Sequence, residues 1–239
     1  MAKIAIIGYG NLGYHFAKAL SFDHHVSIYG RNPTHEVNDL STFTADGYDF
    51  IMITVPDDAI KSVAESFQTR SSIVLHASGS RPLSDLANHE RGGVIYPLQT
   101  FSRNKKVVYE ELLLFLESSA GIEDQVEALA SCISSNLRFV DSVSRAKIHL
   151  AAVFACNFSN HMYHIASSIL EDVGLSFKEI QGLVEETLTK ALDLGPKLAQ
   201  TGPAKRSDVS TLALHEDLIE DERIKDIYRL ISQNIQQST

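Results

Sequence analysis

The stretch KIAIIGYGNLG, residues 3–13, places a short isoleucine-rich strand directly before a GxGxxG turn, and residues 11–20 continue as a helical pattern. In this order, strand, glycine turn and helix are the context in which GxGxxG binds a dinucleotide. The first glycine permits the tight turn, the second lets the backbone approach a pyrophosphate, and the third lets helix and strand pack closely. The helix start adds free N–H groups. The predicted phosphate-binding residues are Gly8, Tyr9, Gly10, Asn11, Leu12 and Gly13.

Short apolar strands separated by helical patterns fill the first half of the chain. Their continuous apolar character is typical of parallel strands that are covered on both faces. The pattern predicts an α/β fold with an N-terminal Rossmann domain, a doubly wound and mainly parallel sheet. The predicted strands are Lys3–Gly8, Val26–Tyr29, Phe50–Val55, Ser72–Ala77, Gly93–Tyr96 and Leu112–Glu117, and the predicted helices are Asn11–Leu20 and Ala59–Phe67.

No strand pattern recurs after residue 141, so we predict two domains, residues 1–141 and an all-helical domain of residues 142–239. Gly174 is expected to end the first long helix, because glycine accepts the left-handed cap conformation. The loop at 201–208 (TGPAKRSD) has two interpretations: its basic residues clamp an anionic substrate group, or it is a connector whose Ser207 or Asp208 caps the next helix. The predicted helices are Val143–Val173, Phe177–Leu194 and Leu212–Ile235.

Composition excludes several classes of protein. The formal net charge of −9 argues against nucleic acid or an anionic membrane as the main partner. No segment approaches the roughly 20 apolar residues of a membrane span. The two cysteines, Cys132 and Cys156, are too few for a disulfide framework and form no CxxC pair, so a reducing cytoplasm fits best.

The end of the second strand indicates which dinucleotide is bound. NAD-binding proteins usually carry an acid about 20 residues after the turn, to hold the ribose 2′-hydroxyl. This strand ends in Tyr29-Gly30-Arg31-Asn32, without an acid. The planar guanidinium of Arg31 suits a 2′-phosphate. We therefore predict that Arg31 and Asn32 select NADP, and that Val55 and Pro56, after the FIMITV strand, flank the nicotinamide.

The chain resembles the 6-phosphogluconate dehydrogenase-like superfamily of NADP-binding proteins in GYGNLG at 8–13, GRN at 30–32 and TVPDDAI at 54–60. The glycine turn is also similar to that of pyrroline-5-carboxylate reductases and F420-dependent NADP oxidoreductases. A closer resemblance is to Rossmann-like proteins with a DUF2520 C-terminal domain. It implies an NADP oxidoreductase, and its marks are HASGS at 76–80, YPLQTF at 96–101, KIHLAAVFACNFSNHMY at 147–163 and TGPAKRSD at 201–208.

One feature of the superfamily is missing from this sequence. Dehydrogenases of the superfamily often use a lysine with an asparagine one helical turn later. Here Lys147 is followed by Leu150 and Ala151 at those positions. The lysine mechanism is therefore not carried over to this chain.

Candidate catalytic residues come from two places. His76 lies at the end of a predicted strand and Ser78 follows it, and ligands bind beyond the carboxyl ends of such strands. On the long helix, Asn157, Asn160, His161 and His164 follow the i, i+3, i+4, i+7 spacing of one helical face, with His149 two turns earlier. This polar face lines a cavity, meets a second subunit or is solvated. The predicted catalytic residues are His149 and His76 for proton transfer, with Asn157, Asn160 and Ser78 binding substrate.

These features predict an NADP(H)-dependent oxidoreductase that transfers hydride to or from a small polar carbonyl or imine compound, in a cleft between the two domains. The alternative is a non-catalytic NADP(H)-binding redox sensor or regulatory module. We expect no metal, because HExxH is absent and no carboxylate accompanies His161 and His164. A GxSxG elbow is also absent, which argues against a hydrolase. We expect a homodimer.

Overall fold

The computed structural model describes residues 1–238, and its first part is built on one sheet of eight strands in the order β3-β2-β1-β4-β5-β6-β7-β8. The first six strands along the chain are parallel, β7 runs antiparallel to β6, and β8 runs parallel to β7. This confirms the predicted α/β, mainly parallel Rossmann sheet. The strands are β1 (Lys3–Ile7), β2 (His25–Gly30), β3 (Asn38–Asp39), β4 (Phe50–Ile53), β5 (Ile73–His76), β6 (Gly92–Pro97), β7 (Leu114–Ser118) and β8 (Leu137–Phe139).

Strand β1 is buried on both faces, which explains its unbroken apolar sequence. Ile4 and Ile6 join one apolar cluster, while Ala5 and Ile7 join another on the opposite face. Helix α1 (Asn11–Leu20) contributes Phe16 and Leu20 to the first cluster, and α2 (Ile60–Glu65) contributes Ile60 and Ala64 to the second. The sheet is therefore covered by helices on both sides, as doubly wound folds require.

Each of the six predicted strands overlaps a strand of the structure, but three strands or helices of residues 1–141 were missed. Helix α3 (Glu123–Ser131) and the short strands β3 and β8 carry weak local signals. Strand β3 has only Asn38 and Asp39, two residues that strands disfavour, and it forms by pairing with the end of β2. Such strands depend on a neighbouring edge rather than on their own sequence.

Residues 142–238 contain helices and no strand, as predicted. The predicted long helix is present as α4, a π-helical segment (Val153–Phe158) and α5 in direct succession. Gly174 has φ +73°, the predicted left-handed conformation. The helices are α4 (Ser142–Ala152), α5 (Ser159–Glu171), α6 (Gln181–Leu194), α7 (Pro196–Ala199), α8 (Val209–Leu218) and α9 (Glu222–Gln237).

The prediction of one last helix over Leu212–Ile235 was wrong, because α8 ends at Leu218 and α9 begins at Glu222. The side chain of Asp221 accepts a hydrogen bond from the backbone N–H of Arg223 and caps the new helix. Asp208 caps α8 in the same way, by accepting from the N–H of Thr211, so the connector interpretation of the loop has direct support.

By its internal contacts the chain forms two compact units, Met1–Ala155 and a second unit that begins at Cys156. The predicted second domain begins at Ser142, the first residue of α4, and this boundary stays a prediction. Helix α4 groups with the sheet, so the first unit contains the glycine turn, the strand ends and His149. No helix within residues 1–238 is both long enough and apolar enough to span a lipid bilayer.

Candidate functional site

The glycine turn packs so closely on the residue after β4 that two of its positions have no room for a side chain. Gly8 has φ +104°, and a Cβ there would lie 2.8 Å from the carbonyl oxygen of Thr54. A Cβ on Gly13 would lie 2.2 Å from the carbonyl oxygen of Gly8. The Thr54 hydroxyl donates to that same Gly8 oxygen at 2.8 Å. The shape of the turn is therefore set by contacts within the protein.

Gly10 differs from these two glycines because the space beside it is open. A Cβ there would meet no atom of residues 1–238 within 4 Å. Gly10 is the N-cap of α1, no side chain in the described chain caps the helix there, and its first turn has no acid. The N–H groups of Asn11 and Leu12 consequently lack helical partners and are available to an anion. An open position beside uncapped N–H groups fits a pyrophosphate.

The site lies where the order of the strands reverses. Strand β1 has β2 on one side and β4 on the other, and ligands of open α/β sheets bind at this point, beyond the carboxyl ends of the strands. The glycine turn follows β1, and the loops after β4, β5 and β6 follow in that order along the same edge. The predicted cofactor residues of the turn and Val55 therefore follow neighbouring strands.

The end of β2 presents Arg31 and Asn32, both exposed. No carboxylate of residues 1–238 forms an ion pair with Arg31. An acid that the sequence analysis did not consider lies nearby: the Tyr9 hydroxyl donates to Glu36 Oε2 at 3.4 Å. Burial, and next the Glu36 carboxylate, raise the pKa of Tyr9. Glu36 lies six residues after Gly30, the last residue of β2.

The loops after β4 and β5 are joined directly. The Ser80 hydroxyl donates to Asp57 Oδ2 at 2.5 Å. Val55, half-buried, and Pro56, exposed, precede Asp57. The hydrogen bond holds the HASGS loop beside the residues that are predicted to flank the nicotinamide.

The structure argues against the proton-transfer role predicted for His76. The side chain is fully buried; its Nε2 donates to the Pro82 carbonyl oxygen at 3.4 Å, and its Nδ1 accepts from the Ser78 N–H at 3.2 Å. Burial, and next the charge of Arg145, lower the pKa of His76 to about 4. A fully enclosed imidazole with both nitrogens engaged by backbone groups of its own loop is not accessible to a substrate.

Ser78 is also occupied within its own loop. It is buried, and its hydroxyl oxygen accepts from the backbone N–H of Ser80 at 3.1 Å and of Arg81 at 3.0 Å. The hydroxyl therefore stabilises the turn that presents Ser80. That Ser78 binds substrate stays a prediction.

His149, the other predicted proton-transfer residue, is paired with a residue that the sequence analysis missed. The Tyr96 hydroxyl, at the carboxyl end of β6, lies 3.1 Å from His149 Nδ1. Gly79 packs between them: a Cβ there would lie 2.7 Å from Tyr96 Cζ and 2.8 Å from His149 Nδ1. His149 is half-buried, whereas Tyr96 is 8% exposed. The position of Tyr96 at the end of a predicted strand was the available signal.

A buried arginine fixes α4 against this loop. Arg145, one turn before His149, is fully buried and forms an ion pair with Glu117. Its Nε donates to the Ser78 carbonyl oxygen at 3.2 Å, and a terminal nitrogen donates to the Arg81 carbonyl oxygen at 2.6 Å. Because residues four apart share a helical face, these bonds also position His149.

The remaining candidates belong to the second unit. Asn157, Asn160, His161 and His164 are all exposed, Asn157 within the π-helical segment and the others on α5. The His161 and His164 ring centroids are 6.1 Å apart. The structure thus collects the glycine turn, the strand ends, Tyr96 and His149 in the first unit, and the polar helix face in the second. Within residues 1–238 no three histidine, cysteine or acidic side chains form a group that could hold a metal ion.

The chain is similar over its whole length to a candidate NADP oxidoreductase of Bacteroides fragilis. The two sequences are 31% identical, the match covers 99% of this chain and 98% of the other, and the TM-score is 0.86. A Thermotoga maritima protein is 22% identical over 98% and 97% of the two chains, with a TM-score of 0.73. A reductive aminase of Aspergillus terreus, solved with NADPH and ethyl levulinate, is 16% identical over 100% and 93%, with a TM-score of 0.73. The last two similarities concern the fold.

A sequence comparison with curated proteins found no match to this chain. The family model of the domain of unknown function DUF2520 matches residues 112–235, which is more than half of the chain. The match begins just before β7 and ends within α9. Together with the similarity to the Bacteroides fragilis protein, it shows that the chain belongs to the DUF2520 family.

Proposed function

We propose that this protein binds NADP(H) and reduces a small polar carbonyl or imine compound. The observation that carries the proposal is the Tyr96–His149 pair at the edge of the sheet that also holds the glycine turn. The similar Bacteroides fragilis protein is a candidate NADP oxidoreductase, and the reductive aminase of the same fold was solved with NADPH.

The glycine turn and Arg31 supply the two anion sites that NADP(H) needs. The open space beside Gly10 and the uncapped start of α1 suit the pyrophosphate. Arg31, exposed and without an ion pair in residues 1–238, follows β2, where the adenosine ribose of a Rossmann ligand lies. Its planar donors suit a 2′-phosphate.

The position of the Tyr96–His149 pair in the sheet supports a role in the reaction. Strands β1, β4, β5 and β6 are consecutive neighbours, and adjacent strands are spaced by about 4.8 Å. Three spacings put the end of β6 roughly 14 Å from the glycine turn. Val55, Pro56 and the HASGS loop would flank the nicotinamide half of a bound dinucleotide, and His149 would face the substrate.

When bound, the reduced nicotinamide supplies a hydride to the substrate carbon, and the substrate oxygen or nitrogen then needs one proton. His149 Nε2 has no hydrogen-bond partner in residues 1–238, while Nδ1 lies against the Tyr96 hydroxyl. In the imidazolium form, Nδ1–H donates to the Tyr96 oxygen and Nε2–H is transferred to the substrate. The neutral ring keeps its remaining proton on Nδ1. His149 is the proposed acid, and Tyr96 is a positioning residue.

The test compares three variants with a panel of small carbonyl compounds and imines. His149→Ala is expected to lower kcat at least about 100-fold, because general acids contribute rate factors of this size. Tyr96→Phe is expected to lower kcat about 10-fold, because the imidazole loses the partner that orients it. Both variants should keep the wild-type Kd for NADPH.

Tyr228→Phe is the matched control for the tyrosine variant. Tyr228 and His215 form a second Tyr–His pair, with the hydroxyl 2.8 Å from Nδ1, in the second unit. This control should retain wild-type turnover. Unchanged turnover in His149→Ala would remove His149 from the mechanism. Tight NADPH binding without turnover on any compound would contradict a reductase and favour the redox sensor.

We further propose that Asn157 and Asn160 bind the substrate. Both are exposed amides on successive turns of one helical stretch, and amides both donate and accept hydrogen bonds. Alanine substitution of either residue should raise KM about 10-fold with little change in the Kd for NADPH. An unchanged KM in both variants would contradict this role.

We also propose that the protein is a homodimer. Ala204 is the only buried residue between residues 156 and 238, and 15 of the 22 exposed large hydrophobic side chains lie in that segment. A folded unit without an apolar core of its own needs an apolar surface to cover it. A second copy of the chain supplies one by symmetry.

Light scattering during size-exclusion chromatography tests the homodimer. The expected mass is twice that of one chain, and Leu192→Asp, at an exposed apolar position of α6, should shift it towards one. A monomeric wild-type protein would refute the dimer. Thermal unfolding of the variant, measured beside the wild type, separates dissociation from misfolding.

A further inference from the structure

The segment after β6, residues 98–113, lies on the first helix of the fold. The Asn11 side-chain amide donates to the Phe101 carbonyl oxygen at 3.1 Å. His15, buried in α1, has Nε2 3.1 Å from the Ser102 carbonyl oxygen and Nδ1 2.9 Å from the Tyr109 hydroxyl. Three hydrogen bonds therefore anchor this segment next to the glycine turn.

Arg103 is the residue of this segment that reaches the turn itself. Its guanidinium donates to the backbone carbonyl oxygen of Tyr9, the residue between the first two glycines. It also lies 4.8 Å from the ring centroid of Tyr9 and 5.4 Å from that of Tyr14. Contacts of this kind hold an arginine in one orientation by cation–π attraction. The charge is thus kept at the entrance to the predicted phosphate site.

The positive charges of the segment around Arg103 form no ion pair within residues 1–238. Arg103, Lys105 and Lys106 fall within four residues, and residues 91–109 contain no acid. Among residues 1–238 no carboxylate forms an ion pair with any of the three. The protein as a whole has a net charge of −9. A concentrated positive field beside uncapped N–H groups attracts an anion from solution.

We propose that Arg103 is a pyrophosphate-binding residue of the dinucleotide site, an inference that rests on the proposed function. The guanidinium contacts residue 9 of the turn, whereas Arg31 follows β2 on the side of the 2′-phosphate. Arginine presents several N–H donors in a plane, which suits two neighbouring phosphate oxygens. Lys105 and Lys106 strengthen the field without forming the contact.

The position of Arg103 predicts an effect on affinity that Arg31 cannot produce. NADPH and NADH share the pyrophosphate, and only NADPH carries the 2′-phosphate. Removing a pyrophosphate contact should weaken both dinucleotides equally, while removing a 2′-phosphate contact should weaken NADPH alone. Adenosine 2′-monophosphate, which has no pyrophosphate, separates the two sites further.

The experiment is calorimetric titration of wild type, Arg103→Ala and Arg31→Ala with NADPH, NADH and adenosine 2′-monophosphate. Arg103→Ala should raise the Kd of NADPH and of NADH by a similar factor of about 10 to 100, the range of a charge-assisted hydrogen bond. It should leave adenosine 2′-monophosphate within about threefold of wild type. Arg103→Lys, which keeps the charge, should recover part of the loss.

Two control variants distinguish the loss of the Arg103 contact from the loss of any charge in the same loop. Lys105→Ala and Lys106→Ala each remove one charge from the same segment, and each should change the Kd of NADPH less than about threefold. Thermal unfolding without ligand should give the wild-type Tm for the two lysine variants and a Tm only a few degrees lower for Arg103→Ala.

Wild-type Kd values for NADPH and NADH in Arg103→Ala would overturn the proposal while leaving the proposed function intact. A loss confined to NADPH would also overturn it, because Arg103 would then act on the 2′-phosphate. If the wild-type protein bound neither dinucleotide, the proposed function and this inference would both be refuted.

Discussion

Alanine substitutions in the glycine turn test the cofactor site, because one should weaken NADPH binding and the other should lower the stability of the fold. Gly10→Ala adds a methyl group into open space: its Cβ meets no atom of residues 1–238 within 4 Å, and its φ of −71° suits alanine. The cost of alanine at a helix N-cap, about 0.5–1 kcal/mol, is offset by a similar gain from a less flexible unfolded chain. The free energy of unfolding should therefore change by less than about 1 kcal/mol.

Gly13→Ala places its methyl group 2.2 Å from the Gly8 carbonyl oxygen, a distance at which the backbone must move. Overpacking of this kind costs about 1–3 kcal/mol or more. In a chain of this length that corresponds to a fall in Tm of roughly 3–10 °C. Gly10→Ala should keep a near-wild-type Tm.

For NADPH binding, the substitution that barely changes stability, Gly10→Ala, should have a clear effect. The methyl group of Gly10→Ala occupies the space that the pyrophosphate approaches, so the Kd for NADPH should rise at least about 10-fold, or about 1.4 kcal/mol. Circular dichroism measures the Tm, and quenching of NADPH fluorescence measures the Kd on the same samples. Wild-type NADPH affinity in a stable Gly10→Ala protein would show that the turn is not the pyrophosphate site.

Three further predictions concern charge. Arg31→Ala should raise the Kd of NADPH about 10- to 100-fold and spare NADH in parallel titrations; equal losses would refute NADP selection by Arg31. Glu117→Ala leaves the fully buried Arg145 unpaired, so urea denaturation should show about 3–5 kcal/mol less stability, and a loss under about 1 kcal/mol would contradict the ion pair. Burial lowers the pKa of His76 in the folded protein to about 4, whereas the unfolded chain keeps the ordinary pKa of about 6.5. Between these two pH values His76 is therefore protonated in the unfolded chain and neutral in the folded one. Stability should fall by up to about 3 kcal/mol between pH 6.5 and 4, and His76→Gln should lose this slope; an identical slope in both proteins would exclude His76 as its source.

The parts of the fold that the sequence predicts well are those with strong local signals. The run Ile4–Ile7 is buried on both faces of the sheet, and burial on two faces requires apolar residues at every position. The glycine turn is equally local, because its backbone conformation and close packing exclude other side chains. The break between α8 and α9 was missed because the apolar pattern continues across it, and only the cap at Asp221 marks the new helix.

The candidate site was less predictable because it depends on contacts between distant segments. His76 and His149 look alike in the sequence, yet one is enclosed with both nitrogens bound to backbone and the other has a free Nε2 within residues 1–238. Arg103 belongs to a segment without strand or helix at that point, and its contact with Tyr9 spans 94 residues. The periodic patterns that predict helices and strands carry no information on contacts between residues so far apart in the sequence.

The arrangement around Gly79 links the stability of the first unit to its chemistry. Arg145 donates to the carbonyl oxygens on either side of Gly79, at Ser78 and Arg81, so the buried ion pair holds the loop that contains this glycine. Gly79 in turn is in close contact with the rings of Tyr96 and His149. A shift of this loop therefore reaches the proposed acid through van der Waals contact alone. Because the same helix supplies Arg145 and His149, the bonds of Arg145 to the loop also fix the position of His149 relative to Gly79.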